Sequence, residues 1–329
     1  YQKYYYAKSR SLKKLSLHTT SRCNFSCKYC YSHNSHEGDN IDWLDIINQA
    51  NDLGVEQITF LGGDPLMDKN IFDYLQLCKE KGIKSIIFTN GELISEKLIS
   101  FYKSMNAKDY ILAIKFSDRF SFEKYTDANK FEKISNIIKK CVKNQLNVLP
   151  FVPLTAQNYD KVPEILDFLR KIGVKNTGFS RFIPQGNCYD KELELDVKKW
   201  NIALDDLFSF LSESKMGIKP TIAGLLCPCY KEQMSIDVEG NAKPCSLSAD
   251  NQSFGNVKGK NLSQLWQNYL KLREDWLKVP DECDSCKRKN FCLGGCKTYT
   301  CIKRNTYNAK DPLCNGENFP LATVCFEIK

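Results

Sequence analysis

The chain has 329 residues, of which 42% are hydrophobic and 26% charged, and its formal net charge is +8. This composition excludes a disordered, collagen-like or coiled-coil chain, and no apolar run is long enough to suggest a membrane partner. The basic residues are dispersed, so the charge does not indicate a nucleic-acid partner. The 16 cysteines are the unusual feature. No signal peptide is visible, so we expect a cytoplasmic protein, in which clustered thiols more often bind metal than form disulfides.

Six β-rich stretches alternate with amphipathic helical stretches between residues 13 and 215. The predicted strands cover 13–20, 56–62, 84–91, 109–116, 146–154 and 176–184. The predicted helices cover 41–54, 70–82, 96–105, 130–145, 159–173 and 196–214. Six βα units predict an α/β fold with parallel strands, either a doubly wound sheet or a partial (β/α)6 barrel. Both architectures bind ligands at the carboxyl ends of the strands, so functional residues are expected in the loops that follow them.

A different composition begins near residue 216. Residues 216–329 are rich in Cys, Lys, Asn and Gly, with a hairpin-like stretch at 234–247 and one clear helix at 262–278. This segment has little apolar material for an independent core, so bound metal is expected to help stabilise it. The sequence therefore predicts two domains, 1–215 and 216–329.

The loop after the first predicted strand carries Cys23, Cys27 and Cys30, with Tyr29 before the last cysteine. A CxxxCxxC loop can supply three thiolates to a 4Fe–4S cluster, which normally takes four. The missing ligand would leave one iron open to another molecule, as in catalytic zinc sites. A zinc site and buried free thiols are the alternatives.

This motif, at the end of the first strand of a βα repeat, resembles that of the radical S-adenosylmethionine (radical SAM) superfamily. The resemblance implies a TIM-like partial barrel in which the open iron binds the amino and carboxylate groups of S-adenosylmethionine. It also implies that an electron from the cluster cleaves the cofactor to a 5′-deoxyadenosyl radical, which abstracts hydrogen from a substrate. The reaction would need a reductant such as flavodoxin or ferredoxin.

Later loops resemble segments that contact the cofactor in this superfamily. Gly62-Gly63-Asp64-Pro65 resembles the family's GGEP motif with Asp for Glu, although these residues also suit an ordinary turn. The cofactor contacts implied by the resemblance are Tyr29, Gly62, Gly63, Asp64, Pro65, Asn90, Ser117, Thr155, Asn158 and Arg181. The stretch 115–118 departs from the family's frequent form, which weakens Ser117. Arg181, in Arg-Phe-Ile-Pro-Gln-Gly, could pair with the methionine carboxylate or be a solvated surface residue.

Eight further cysteines form a second pattern: CxC, Gly-x4-Cys, Cx2Cx5Cx3C and a final Cys. It resembles the SPASM extension of the same superfamily, which implies two auxiliary 4Fe–4S clusters and three clusters in all. By that resemblance the first auxiliary cluster is held by Cys227, Cys229, Cys245 and Cys296, and the second by Cys283, Cys286, Cys292 and Cys314. Because Cys227 and Cys229 are so close, one of them could be free. Structural zinc is the alternative for the block.

Four functions remain open. The leading one is modification of a ribosomally made peptide by a thioether or carbon–carbon crosslink, because most SPASM proteins of unassigned substrate resemble such maturases. An epimerase of a peptide, or of a small molecule such as a sugar, would need a hydrogen donor, for which Cys188, Cys301 and Cys325 are candidates. Sulfatase maturation is disfavoured because Ser246 stands where that group has Asp. An iron–sulfur electron-transfer protein is disfavoured because the first cluster has only three local thiolates.

Two cysteines are not expected to bind metal. Cys78 and Cys141 fall within predicted helices and are expected to be core thiols. His18, in the first predicted strand, is expected to be structural.

Overall fold

A computed structural model describes residues 10–31, 41–127, 129–186, 190–214, 218–222, 227, 229, 231–316 and 321–327. The chain forms two compact units. The first contains Tyr1–Cys23, Asn34–Ile87 and Ile222–Pro320, and the second contains Asn24–His33, Phe88–Thr221 and Leu321–Lys329. The domain boundary predicted at residue 215 stays a prediction. Within the described ranges, no helix has the length and apolarity to cross a membrane.

The described elements alternate as the βα pattern predicts. The strands are β1 (Lys14–Thr20), β2 (Gln57–Gly62), β3 (Lys84–Thr89), β4 (Tyr110–Lys115), β5 (Val148–Leu154), β6 (Asn176–Arg181), β7 (Ile218–Ile222), β8 (Gln233–Ile236), β9 (Ala242–Lys243) and β10 (Leu321–Glu327). The helices are α1 (Trp43–Asp52), α2 (Ile71–Glu80), α3 (Glu96–Lys103), α4 (Arg119–Tyr125), α5 (Phe131–Lys143), α6 (Val162–Lys171), α7 (Val197–Ser214), α8 (Leu262–Trp276), α9 (Lys289–Cys292) and α10 (Lys297–Arg304).

In the first unit, the strand order is β9-β8-β1-β2-β3. The pairs β1–β2 and β2–β3 are parallel, whereas β8–β9 is the antiparallel pair that the hairpin-like stretch predicted. Strand β8 also pairs in parallel with β1, so that Lys14 lies opposite Gln233. This pairing was not predicted, and it continues the sheet with a strand from the cysteine-rich segment.

In the second unit, the strand order is β4-β5-β6-β10-β7. The pairs β4–β5 and β5–β6 are parallel, and β10 is antiparallel to β6. The predicted α/β class with a parallel sheet is therefore confirmed. Strand β10 and helix α4 were not predicted.

Several helices begin where a side chain accepts a hydrogen bond from a free backbone N–H group of the first turn. Asp42 accepts a hydrogen bond from the Asp45 N–H at the start of α1, and Ser95 accepts one from Leu98 at the start of α3. Asn261 and Gln264 form a reciprocal capping box at the start of α8. These local signals account for why the helical stretches start after polar residues.

Candidate functional site

The loop after β2 packs backbone to backbone against the residues that follow β1. The Gly63 N–H donates to the Thr20 carbonyl at 2.8 Å, and the Asp64 N–H donates to the Arg22 carbonyl at 2.7 Å. A Cβ atom on Gly62 would lie 2.2 Å from the Thr20 oxygen, and one on Gly63 would lie 2.2 Å from the Arg22 oxygen. Only glycine permits this approach. The two glycines thus allow a close contact with the segment that leads into the first cysteine.

The Asp64 carboxylate is fully buried and caps the turn that follows it. Its Oδ1 accepts a hydrogen bond from the Leu66 N–H at 3.0 Å, with Pro65 at the first position of the turn. Arg22 donates to the Met67 carbonyl at 3.0 Å and ties the same turn to the loop after β1. These contacts give Asp64 and Pro65 a structural role. Their contact with the cofactor stays a prediction.

The loop after β3 anchors the start of the cysteine loop through Asn24. Asn90 donates to the Asn24 side-chain oxygen at 2.8 Å, and Asn24 donates to a Glu92 carboxylate oxygen at 2.7 Å. Lys130 and Lys133 donate to the other Glu92 oxygen at 2.6 and 2.7 Å and hold the pKa of Glu92 below its usual value. Sequence reasoning identified Asn90 but missed Asn24, whose partners are distant in the chain.

Cys27 is buried, and a lysine lies against it. The Lys115 Nζ is 3.8 Å from the Cys27 Sγ and 5.0 Å from the centre of the Tyr29 ring. The Tyr29 hydroxyl hydrogen-bonds to the Thr126 hydroxyl. Burial raises the pKa of Tyr29 well above its usual value, so the phenol stays protonated. Tyr29 therefore packs in the cysteine loop, and its contact with the cofactor stays a prediction.

The segment after β6 also approaches the cysteine loop. Gly186 has a φ of +90°, and a Cβ atom there would lie 2.6 Å from the Cys30 carbonyl oxygen. Arg181, at the end of β6, is only 2% exposed. The solvated-surface alternative for Arg181 is therefore wrong. A buried guanidinium at a strand end suits an anionic group, and its pairing with the cofactor stays a prediction.

Three residues predicted to contact the cofactor form one buried network at the carboxyl ends of β4 and β5. The Asn158 amide donates to the Ser117 hydroxyl at 2.9 Å, and its Oδ1 accepts from the Thr155 N–H at 2.7 Å. The Ser117 hydroxyl donates to Asp118 Oδ2 at 3.1 Å, while Asp118 Oδ1 caps α4 through the Ser121 N–H at 2.9 Å. The structure thus brings Ser117, Thr155 and Asn158 together, although they come from two loops.

Three predicted ligands of the first auxiliary cluster lie together, with Cys229 in contact with each of the other two. The Cys229 thiol hydrogen-bonds to both Cys227 and Cys245, and its bond lowers the pKa of Cys227 to about 7. Burial lowers the pKa of nearby Lys231 to about 8, while Cys227 opposes that shift. Cys227 and Cys229 therefore both belong to one group of thiols together with Cys245. Such a set of sulfur donors fits an iron–sulfur cluster.

The fourth predicted ligand, Cys296, is held by a residue that sequence reasoning missed. Asp311 is fully buried, and its Oδ2 accepts from the Cys296 N–H at 2.8 Å. Its other oxygen accepts from the Leu313 N–H at 3.0 Å, and its backbone carbonyl accepts from Cys314 at 2.9 Å. A Cβ atom on Gly295 would lie 2.4 Å from the Asp311 Cβ. One carboxylate therefore fixes segments carrying ligands of both predicted auxiliary clusters.

The predicted ligands of the second auxiliary cluster line one cavity of about 430 Å³. They are Cys283, Cys286, Cys292 and Cys314. Burial is the main cause that raises the pKa of Cys292 to about 12, and the neighbouring Cys314 adds to it. Four thiols around one cavity fit a 4Fe–4S cluster by donor chemistry. Within the described residues, no three or more His, Cys, Asp or Glu side chains lie close enough together to hold a single metal ion.

The remaining cysteines divide by environment. Cys78 and Cys141 are fully buried, and burial raises the pKa of each thiol to about 12, so their prediction as core thiols is confirmed. Cys23 is exposed.

The three cysteines predicted as candidate hydrogen donors lie in different parts of the chain. Cys301 lies on α10, partly exposed, in hydrogen-bond contact with Tyr307. Cys325 lies on β10 opposite Gly178 of β6. Cys188 lies outside the described residues. A donor role for any of them stays a prediction.

Two family models match the chain. One, for the radical SAM superfamily, covers residues 17–169, and the other, for an iron–sulfur cluster-binding domain (SPASM), covers residues 227–288. The chain belongs to the radical SAM superfamily. It is a radical SAM enzyme with a SPASM domain that binds iron–sulfur clusters, so the predicted family is confirmed and the electron-carrier alternative is excluded.

Relatives of this radical SAM enzyme match most of its length. The PqqA peptide cyclase of Gluconobacter oxydans is 22% identical over 90% of the chain and 88% of its own length. The probable GTP 3′,8-cyclase of Methanocaldococcus jannaschii is 24% identical over 82% of the chain and 98% of its own length. SuiB of Streptococcus suis, solved with S-adenosylmethionine and with its precursor peptide SuiA, has a TM-score of 0.76 at 19% identity. The SuiB alignment covers 93% of the chain, with 78% and 76% of SuiB in the two structures.

Proposed function

We propose that this radical SAM enzyme modifies a ribosomally made peptide by forming a thioether or carbon–carbon crosslink. The observation that carries the proposal is a CxxxCxxC loop joined to a SPASM domain in a chain that resembles PqqA peptide cyclase over 90% of its length. The fold likeness to SuiB, a protein solved with its precursor peptide, is in keeping with a peptide substrate. A cytoplasmic location is part of the proposal, because clustered thiols need a reducing compartment.

The proposal includes three 4Fe–4S clusters. The first is held by Cys23, Cys27 and Cys30, and the others by the two sets of four SPASM cysteines that the sequence pattern assigns. When bound, the first cluster and S-adenosylmethionine would supply the electron and the 5′-deoxyadenosyl radical that removes one hydrogen atom from the peptide. The auxiliary clusters would accept the second electron as the new bond forms, and the second hydrogen would leave as a proton. The proposed electron source is a low-potential reductant such as flavodoxin or ferredoxin.

The proposed role of the chain's own residues is to bind and orient S-adenosylmethionine. Gly62 and Gly63 allow a close backbone approach in the first unit. In the second unit, the Ser117–Asn158 network offers fixed polar groups at the ends of β4 and β5 for the nucleoside part of the cofactor. The buried Arg181 guanidinium supplies the positive charge for the methionine carboxylate.

The test is a turnover assay with peptide. Protein reconstituted with iron and sulfide and reduced with dithionite is incubated with S-adenosylmethionine and with short peptides encoded by genes neighbouring its own, as candidate precursors. We expect a product lighter by two hydrogens, with the new bond located by tandem mass spectrometry, and no product from Cys27→Ala. A peptide that keeps its mass, or only exchanges one hydrogen for solvent deuterium, overturns the crosslinking proposal, and the deuterium result would assign epimerisation instead.

A further inference from the structure

A lysine side chain is held against the sulfur of the one cysteine in the first motif that is buried. Lys115 is the last residue of β4, and its Nζ lies 3.8 Å from the Cys27 Sγ. Cys27 is 4% exposed. An ammonium beside a buried sulfur interacts more strongly than one in water, because the surroundings are less polarisable.

Neighbouring groups keep the Lys115 side chain in this position. Its Nζ also lies 5.0 Å from the centre of the Tyr29 ring, a cation–π distance. The Tyr29 hydroxyl is tied to Thr126, so the ring has a fixed place. At its backbone, Lys115 lies opposite Phe151 in the β4–β5 ladder. The ammonium is therefore positioned by a strand on one side and an aromatic ring on the other.

We propose that Lys115 raises the reduction potential of the first cluster by donating a hydrogen bond to the Cys27 sulfur. The inference rests on the proposed function, in which Cys27 ligates that cluster. Reduction adds one electron and makes the cluster more negative. A nearby positive charge and an N–H bond to a ligand sulfur both favour that reduced state. Lys115 is thus a positioning residue that acts through Cys27.

The direct test is an EPR-monitored redox titration of the reconstituted holoenzyme. The first cluster is identified as the reduced signal that changes when S-adenosylmethionine is added. Lys115→Met keeps an apolar stem but removes the charge and the donor. We expect it to make reduction at least tenfold less favourable, which is about 59 mV for one electron. Lys115→Arg keeps the charge and should restore most of the difference.

Lys28→Met is the matched control. Lys28 adjoins Cys27 in the chain, is exposed, and places its ammonium 5.8 Å from the Tyr125 ring centre. Lys28 carries the same charge as Lys115, but its side chain is exposed and its ammonium lies over a different ring. Removing it should therefore leave the potential near that of the wild type. An equal shift in Lys28→Met and Lys115→Met would overturn the proposal, since general charge would then explain both.

Other outcomes are equally decisive. An unchanged potential in Lys115→Met with its iron intact overturns the proposal, and weaker cofactor binding in that variant would assign the lysine to the cofactor instead. If Lys115→Met loses the cluster, Lys115→Gln is titrated in its place; it keeps an N–H donor but removes the charge, so its potential should also fall below that of the wild type, through the loss of charge alone. A Cys27→Ala protein that keeps the cofactor-sensitive signal would refute the role of Cys27, whereas an unchanged Lys115→Met potential refutes only the role of the lysine.

Discussion

Asn158 donates its side-chain amide to the Ser117 hydroxyl at 2.9 Å and so joins the carboxyl ends of two neighbouring parallel strands. Its Oδ1 accepts from both the backbone N–H and the hydroxyl of Thr155, at 2.7 and 3.2 Å. All three side chains are buried. A single amide therefore sets the positions of polar groups from two loops at the edge where ligands bind in this type of fold.

Replacing Asn158 with Ala should weaken both the fold and cofactor binding. The change leaves buried partners without hydrogen bonds, which costs about 1–3 kcal/mol of unfolding free energy. We expect S-adenosylmethionine to bind at least tenfold more weakly, measured by calorimetry on reconstituted protein. Asn106→Ala, at an exposed asparagine bonded to Asp109, is the control and should change neither quantity appreciably. Unaltered cofactor affinity in Asn158→Ala would contradict the role of this network.

Adding one methyl group at Gly63 should disturb the loop after β2. Its Cβ would lie 2.2 Å from the Arg22 oxygen, so the backbone must move, at a cost of about 1–3 kcal/mol. Gly259→Ala is the matched control, because a Cβ atom there meets nothing within 4 Å. Thermal unfolding should show a clear loss for Gly63→Ala alone. Equal melting temperatures for the two variants would show that the backbone contact is not needed.

Removing the Asp311 carboxylate should release iron from the SPASM domain. Asp311→Ala leaves the Cys296 and Leu313 N–H groups without their buried acceptor. The three proposed 4Fe–4S clusters would hold about twelve iron atoms per chain, and we expect this variant to retain roughly four to eight. Asp275→Ala removes an exposed carboxylate on α8 and should retain the full complement. Wild-type iron content in Asp311→Ala would argue against the carboxylate as an organiser of the ligands.

The structure also predicts a pH dependence that originates at His18. Burial lowers the pKa of His18 to about 4, while Asp237 partly opposes the shift and Lys243 adds to it. The unfolded chain therefore binds a proton near pH 6.5 that the folded chain binds only near pH 4. Stability from this group is complete above pH 6.5 and is lost as the pH falls, by about 2 kcal/mol between pH 7.5 and pH 5.

His18→Gln should flatten that dependence. Urea unfolding of anaerobic holoprotein at pH 5 and pH 7.5 measures it, and the wild type should lose more stability on acidification than the variant. The ion pair between buried Lys243 and partly buried Asp237, at 2.9 Å, remains in both proteins and keeps their surroundings comparable. If both lose stability equally, another group governs the acid sensitivity.

The six strands of the βα repeat were predictable to within three residues at each end, because each is a short apolar run between helical patterns. Helix α4 escaped prediction, since seven residues carry little periodicity and its Phe120 is 61% exposed. The pairing of β8 with β1 and of β10 with β6 joins segments far apart in sequence. Local patterns contain no information about such partners.

In the candidate site too, local sequence patterns were predictable and contacts between distant segments were not. The cysteines and the Gly62-Gly63 pair could be predicted from the sequence, because their spacing within one loop indicates their function. Asn24 and Asp311 could not be predicted, because an asparagine or aspartate in a polar loop usually faces solvent. Only the folded chain shows the hydrogen bonds between Asn24 and Asn90 and between Asp311 and Cys296. Residues that hold ligands through long-range hydrogen bonds carry no local signature.

We expect the first cysteine loop to build a cluster that cleaves S-adenosylmethionine. Chromatographic detection of 5′-deoxyadenosine from reconstituted, dithionite-reduced protein tests it most directly. The wild type should form this product, Cys27→Ala should form none, and Cys78→Ala, which removes a buried helix thiol that belongs to no predicted ligand set, should form it at a rate near that of the wild type. Fully loaded wild-type protein that forms no 5′-deoxyadenosine, or a Cys27→Ala variant that forms as much as the wild type, would contradict this role of the cysteine loop.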